Sequence, residues 1–207
     1  MKYPLQGKGA IVTGGSRGCL VICSKHRKSR LLISILGIGA EIARELARQG
    51  ASVLITYSRS AKAAQAVVDE INERNSTPGV KAKAVQADAV TALIAAETIV
   101  AEATTLFNGG IDIIVNNAAN GDEVELADVT LETFNDFFHP NVLFPLLLIK
   151  LSKPVLRKRA RVVNISSVAA RIRAYPPPTK SHRRRLTYIQ RIPRAYCMQP
   201  PKQLWKA

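Results

Sequence analysis

The sequence predicts an α/β protein, a doubly wound parallel sheet with helices on both faces, and three observations carry that prediction. Short apolar runs of strand length alternate along the chain with longer helical patterns, the arrangement that βαβ units and right-handed crossovers require. The first run, Lys8–Thr13, stops at a glycine-rich turn, Thr13-Gly14-Gly15-Ser16-Arg17-Gly18. Glycine lets the backbone turn tightly there and come close to a phosphate. Finally, 207 residues at 47% hydrophobic content suffice for one domain with a sizeable core.

Each element follows from its own pattern. Lys8–Thr13 (KGAIVT) is a buried parallel strand ending at the glycines. Ile38–Gly50 places Ile38, Ile42, Leu46 and Ala47 at helical spacing and stops at Gly50, a good C-terminal cap. Ala51–Tyr57 is the second strand. Ala61–Asn75 is a helix with Ala64, Val67, Val68 and Ile71 inward, closed by Ser76-Thr77-Pro78-Gly79. Val80–Ala87 is the third strand, Thr91–Phe107 a helix, and Ile111–Asn116 (IDIIVN) the fourth strand. Thr130–Leu151 is a long helix in which Pro140 and Pro145 each remove an N–H and should cause a kink. Arg161–Ile165 is the fifth strand. Beyond Arg171 the alternation stops, and residues 171–207 are proline- and arginine-rich without an amphipathic period, a composition expected to be irregular.

The net charge of +15 is unevenly placed. Cys19–Leu36 carries Lys25, Arg27, Lys28 and Arg30 with no acid, and Arg171–Ala207 carries ten basic residues with none. The rest of the chain is close to neutral and holds no cysteine, since Cys19, Cys23 and Cys197 lie in those two segments. Three cysteines without metal-ligand spacing make neither a metal site nor a disulfide framework. No signal-peptide pattern and no membrane-length apolar run is present, so the cytoplasm is the expected compartment. The organisation expected is a dinucleotide-binding domain over 1–170 and a basic tail over 171–207. Residues 19–37 read as an insertion or retained intron, dividing the glycine turn from the helix that should follow it.

With Cys19–Gly37 set aside, four motifs stand in order. The first is TGxxxGxG, formed by Thr13, Gly14, Gly18 and Gly39. The others are Tyr57-Ser58-Arg59-Ser60 after the second strand, Ala87-Asp88-Ala89 after the third, and Asn116-Asn117-Ala118-Ala119 after the fourth. In this order the chain resembles the short-chain dehydrogenase/reductase family over about residues 5–170. The resemblance implies a Rossmann-type sheet of strand order 3-2-1-4-5, with the C-terminal part of the family fold missing. It implies a pyrophosphate cradled by Gly14, Ser16, Arg17, Gly18, Ile38 and Gly39. It gives Asp88 the adenine amino group, though Asp88 also suits a cap on the next helix. Asn117 would brace the sheet beside the adenosine ribose. No acid stands at Tyr57–Ser60 to accept from a ribose 2′-OH; Arg59 and the hydroxyls of Ser58 and Ser60 favour NADP(H) over NAD(H). The plainer alternative leaves Arg59 and Lys62 as solvated surface charges.

The family's chemistry needs a tyrosine acid/base, a lysine, a carbonyl-polarising serine and a helix asparagine that holds a relay water. By resemblance Asn141 is the asparagine. Ser167, in Asn164-Ile165-Ser166-Ser167, is the serine. No tyrosine has a lysine four residues on: Tyr175 meets Thr179, Tyr188 meets Ile192 and Tyr196 meets Pro200. The implied reaction is NADP(H)-dependent ketone reduction or its reverse on a small carbonyl or alcohol, impaired in this chain. The 3-oxoacyl carrier-protein reductase and polyhydroxynaphthalene reductase branches are nearest in character. A homo-oligomer is the family expectation. Two other functions compete: a non-catalytic NADP-binding protein, and a nucleic-acid-binding protein using the basic tail, although that tail carries no recognisable binding module. The interruption is expected to loop out beside the cofactor and weaken its binding by separating Gly18 from Ile38.

Overall fold

A computed structural model describes residues 3–15, 37–74, 78–122, 124 and 126–166. Ser16, Arg17, Gly18, Ser167, most of the interruption and the whole basic tail lie outside the described residues. The elements are β1 (Gly9–Val12), α1 (Ile38–Arg48), β2 (Ser52–Tyr57), α2 (Ala61–Arg74), β3 (Ala82–Gln86), α3 (Ala92–Leu106), β4 (Ile111–Asn116), α4 (Leu131–Phe138), α5 (Phe144–Ser152) and β5 (Leu156–Asn164). The sheet runs β3-β2-β1-β4-β5, with every pair parallel. That is the predicted order.

Successive strand side chains point to opposite faces, and this splits the core in two. Ile11, Leu54 and Ile114 face α3 and α5, packing with Ala96, Ile99, Ala103, Phe144 and Leu148. Val12, Val53, Ile55 and Val115 face α1 and α2, packing with Ala43, Ala47, Ala64, Val68 and Ile71. The buried faces of α1 and α3 are mostly alanine, which lets those helices lie close to the sheet.

Two elements differ from expectation. The helix predicted over 130–151 is α4 and α5 joined by one turn of π-helix, His139–Leu143. Pro140 has no N–H for the Asp136 carbonyl. The Phe144 N–H instead reaches back five residues to the His139 carbonyl, so the axis continues with one wide turn. β5 begins at Leu156 rather than Arg161. Ile111 pairs with Leu156 and Ile113 with Arg161, leaving a three-residue excess on β5, and Arg159 sits in the bulge with φ of 69°.

The bulge delivers Arg157 to the N-terminal edge of the sheet. There Asp112, buried in β4, accepts from Lys8 Nζ at 3.0 Å, the Gly9 N–H at 2.9 Å and Arg157 Nη1 at 2.8 Å. Arg157 Nη2 also donates to the Phe107 carbonyl at 2.8 Å. Burial pushes the Asp112 carboxyl up; the Gly9 amide, Lys8 and Arg157 together outweigh it and hold the group below its ordinary range. A carboxyl depressed on folding contributes stability that is complete above its unfolded pKa of about 3.9 and disappears as pH falls through the folded value. Urea denaturation at a series of pH values should therefore show stability falling steeply below about pH 4. Asp112→Asn should be less stable at neutral pH and should flatten that acid limb.

Candidate functional site

In a parallel sheet of this order the chain leaves β1 toward β2 on one side and meets β4 on the other, which opens a crevice at the C-terminal ends of β1 and β4. Thr13 stands in it. Its buried hydroxyl oxygen accepts from the Asn117 N–H and the Ala118 N–H, both at 2.9 Å, and donates to the Val115 carbonyl at 3.4 Å. Asn117 Nδ2 returns to the loop, donating to the carbonyls of Thr13 at 2.9 Å and Gly14 at 3.2 Å. From the other side Thr56 accepts the Gly14 N–H on its hydroxyl and the Gly15 N–H on its carbonyl, each at 3.0 Å. The start of the glycine turn is thus strapped to both neighbouring strands.

Two of the glycines predicted for the phosphate site are required here by sterics. Gly14 has φ of 66°, where a β-carbon is strained, and a β-carbon there would also meet the Ala118 backbone at 3.0 Å. At position 39 a β-carbon would lie 2.5 Å from Asn117 Nδ2 and 2.6 Å from the Gly14 carbonyl oxygen. The first turn of α1 therefore packs directly on the loop, and the two halves of the interrupted motif meet. The helix starts at Gly37 with no side-chain cap, and Ile38 is largely exposed beside it. An uncapped first turn at a strand end offers backbone N–H groups and a positive dipole to an anion.

The other predicted residues among those described stand in the loops and turns around the same edge. Tyr57 is half-buried; Ser58 and Arg59 are exposed; Ser60 is half-buried, and its carbonyl accepts the Ala64 N–H of α2 at 3.0 Å. Asp88 is exposed, and its carboxylate accepts from the Val90 N–H at 3.1 Å. That closes a turn ahead of α3, whose N-cap residue is Thr91. Asn117 spends its side-chain N–H groups on the loop carbonyls, as a brace does. On the π-turn, Asn141 Oδ1 accepts the Asn120 N–H and Asn141 Nδ2 donates to the Asn120 carbonyl, both at 2.9 Å. Asn120 Nδ2 donates at 3.2 Å to Asp136 O, the carbonyl that Pro140 leaves without its helical donor. Beyond β5 the Ile165 N–H donates to the Asn116 carbonyl at 2.9 Å, carrying the chain toward this edge as far as Ser166.

Thr56 and Asn120 were not foreseen as site residues. The first is a lone hydroxyl at the glycine-side end of an apolar strand; the second is the polar residue directly after the Asn-Asn-Ala-Ala motif. Either position is a cue in retrospect. Among the described residues no cluster of three His, Cys, Asp or Glu side chains could hold a metal, and no helix is long and apolar enough to cross a membrane.

The sheet order, with a glycine turn and a helix N-terminus meeting at the switch point, defines a Rossmann-type α/β fold. Residues 34–176 match the short chain dehydrogenase family. The short-chain dehydrogenase/reductase FrzI of Cladobotryum is 41% identical over 167 residues, covering 81% of this chain and 55% of its own. The hydroxynaphthalene reductase arp2 of Aspergillus fumigatus is 38% identical over 167 residues, covering 81% and 52%. Among solved structures, a short chain dehydrogenase from Burkholderia cenocepacia in complex with NADP superposes with a TM-score of 0.65 at 36% identity, covering 81% of this chain and 59% of the other. A blue fluorescent protein from a metagenomic library in complex with NADPH gives 0.67 at 31% identity, with 83% and 60% covered. The chain belongs to the short chain dehydrogenase family. It spans about half the length of the two curated relatives.

Proposed function

We propose that this chain binds NADP(H) at the C-terminal edge of its sheet and derives from an oxidoreductase that reduces ketones or oxidises alcohols. The observation that carries this is the close packing of the α1 start on the glycine turn, where a β-carbon at Gly14 or Gly39 would strike Ala118, Asn117 or the Gly14 carbonyl. The turn and a helix N-terminus without a side-chain cap thus stand together at the switch point. Gly14, Ser16, Arg17, Gly18, Ile38 and Gly39 would hold the pyrophosphate, and Asp88 the adenine amino group. Arg59, with Tyr57, Ser58 and Ser60, would take the 2′-phosphate. NADP and NADPH in the two related structures support the choice of dinucleotide. When bound, the nicotinamide supplies or accepts a hydride.

This chain's own residues would do the rest of the chemistry. Ser167 would donate to the substrate carbonyl oxygen. The Asn141 side chain is engaged by Asn120, so its backbone carbonyl is the group that would hold the relay water. Pro145, four residues on, has no N–H to give that carbonyl. No tyrosine–lysine pair at helical spacing completes the set, so binding should be easier to observe than turnover.

Calorimetric titration of the 207-residue chain with NADPH and with NADH tests the proposal. NADPH should bind more tightly than NADH. Arg59→Ala should remove most of that preference, weakening NADPH by about three- to tenfold, as loss of one exposed charge-assisted bond does. Absence of saturable NADPH binding would overturn the proposal.

A further inference from the structure

His139 and Asn141 stand two residues apart on the π-turn and reach opposite ways. Asn141 clamps Asn120, in the loop after β4. His139 Nδ1 lies 3.1 Å from the Val90 carbonyl oxygen, in the loop after β3. A carbonyl only accepts, so Nδ1 carries the hydrogen, whether the ring is neutral or charged. One wide helical turn thereby joins the loops at the ends of two strands that are not neighbours in the sheet.

The loop it grips is held by a short set of hydrogen bonds and by two alanines on the core. The Ala87 N–H donates to the Tyr57 carbonyl at 2.8 Å, and the Asp88 carbonyl accepts from the N–H and hydroxyl of Thr91, both at 3.0 Å. Asp88 and Val90 are exposed, whereas Ala87 and Ala89, before and between them, pack against the core. Val90 is held at both ends of its backbone: its N–H by Asp88 Oδ1 and its carbonyl by His139. The first bond sets where the Asp88 carboxylate points, leaving Oδ2 to face an outside donor. The second sets where Val90 is.

We propose that His139 is a positioning residue for the adenosine end of the cofactor site, acting through Val90 on the Asp88 turn. It touches neither substrate nor cofactor. Its bond fixes the loop that carries Asp88 to the turn that carries Asn141, so the adenine end and the catalytic end of the crevice share one support. The proposal rests on the NADP(H) reading above, in which Asp88 meets the adenine.

The experiment compares the full chain with His139→Phe, which keeps a ring and removes the donor, and His139→Asn, whose Nδ2 replaces Nδ1. Adenosine 2′,5′-bisphosphate, the adenosine half of the cofactor alone, is titrated into each. Hydrogen exchange at the amides of residues 88–91 is followed alongside. Loss of one hydrogen bond should weaken binding to the Phe variant by about two- to tenfold, speed exchange at Val90, and leave the Asn variant like the parent. If the parent binds and the Phe variant binds equally well, the positioning role is overturned while the cofactor reading stands. Equal weakening by Phe and Asn also overturns it, because the effect then does not run through the donor. If the parent fails to bind the bisphosphate, the cofactor reading falls and takes this role with it; unchanged exchange at Val90 in the Phe variant would sink the tether independently of any ligand.

Discussion

Incubated with NADPH and a panel of simple ketones, the purified 207-residue chain is expected to turn over about 10²–10⁴-fold more slowly than a short-chain dehydrogenase that carries the tyrosine acid, the usual contribution of a positioned proton donor. Hydride arriving at a carbonyl carbon leaves negative charge on oxygen, and that charge needs a proton. Under the proposed reading Ser167 would polarise the oxygen, but a serine hydroxyl is too weak an acid to protonate it at neutral pH. Seven of the ten basic residues in 171–207 are arginines, and a guanidinium does not give up its proton. With no tyrosine–lysine pair at helical spacing, the proton is expected to come from water. NADPH absorbance followed over hours gives the rate. Turnover in the ordinary enzyme range of about 1–10³ per second would show that another group supplies the proton.

The second large effect is on stability. Thr13→Val should destabilise the chain by about 2–4 kcal/mol, read as a lowered midpoint in urea at unchanged slope. Valine keeps the shape of threonine and removes the oxygen that accepts the Asn117 and Ala118 amides. Both donors then sit unpaired behind a side chain that is 1% exposed, and each unpaired buried donor costs about 1–3 kcal/mol. Thr13→Ser keeps the oxygen and should cost only about 1 kcal/mol, for the lost methyl. Equal losses in the two variants would show that packing, rather than the hydroxyl, holds the crevice together.

Strand positions and the glycine turn were legible because each rests on residues whose roles are local, whereas the strand order came with the family resemblance. Apolar runs at Ala10–Val12, Val53–Ile55 and Ile113–Val115 say where the sheet is, and Gly14 and Gly39 say where two stretches of the chain come close. What was illegible depends on partners distant in sequence. Asp112 interrupts an apolar strand, yet nothing local reveals that Lys8 and Arg157 meet it. Arg157–Arg161 looks like a charged surface loop until its pairing with β4 shows a bulged strand. Pro140 announces a broken helix, but whether the break is a kink or a wide turn depends on the Phe144 amide finding the His139 carbonyl. The same limit applies to the site: the Asn-Asn-Ala-Ala motif is readable, whereas its bonds to Thr13 and Gly14 span about a hundred residues.

The register of β1 on β2 bears on chain entropy as well as on geometry. Gly9 pairs with Ser52, a closure across some forty residues of which nineteen belong to the interruption. Closure entropy grows only logarithmically, by about 0.6 kcal/mol for each doubling of the loop, and the interruption does not quite double this one. The sheet therefore carries the extra segment for about half a kilocalorie per mole, less than one hydrogen bond. Under the NADP(H) reading the ligand asks more, because amides from both sides of the interruption would have to gather around one anion. The same nineteen residues are thus thermodynamically slight for the fold and fall where continuity matters most for the ligand.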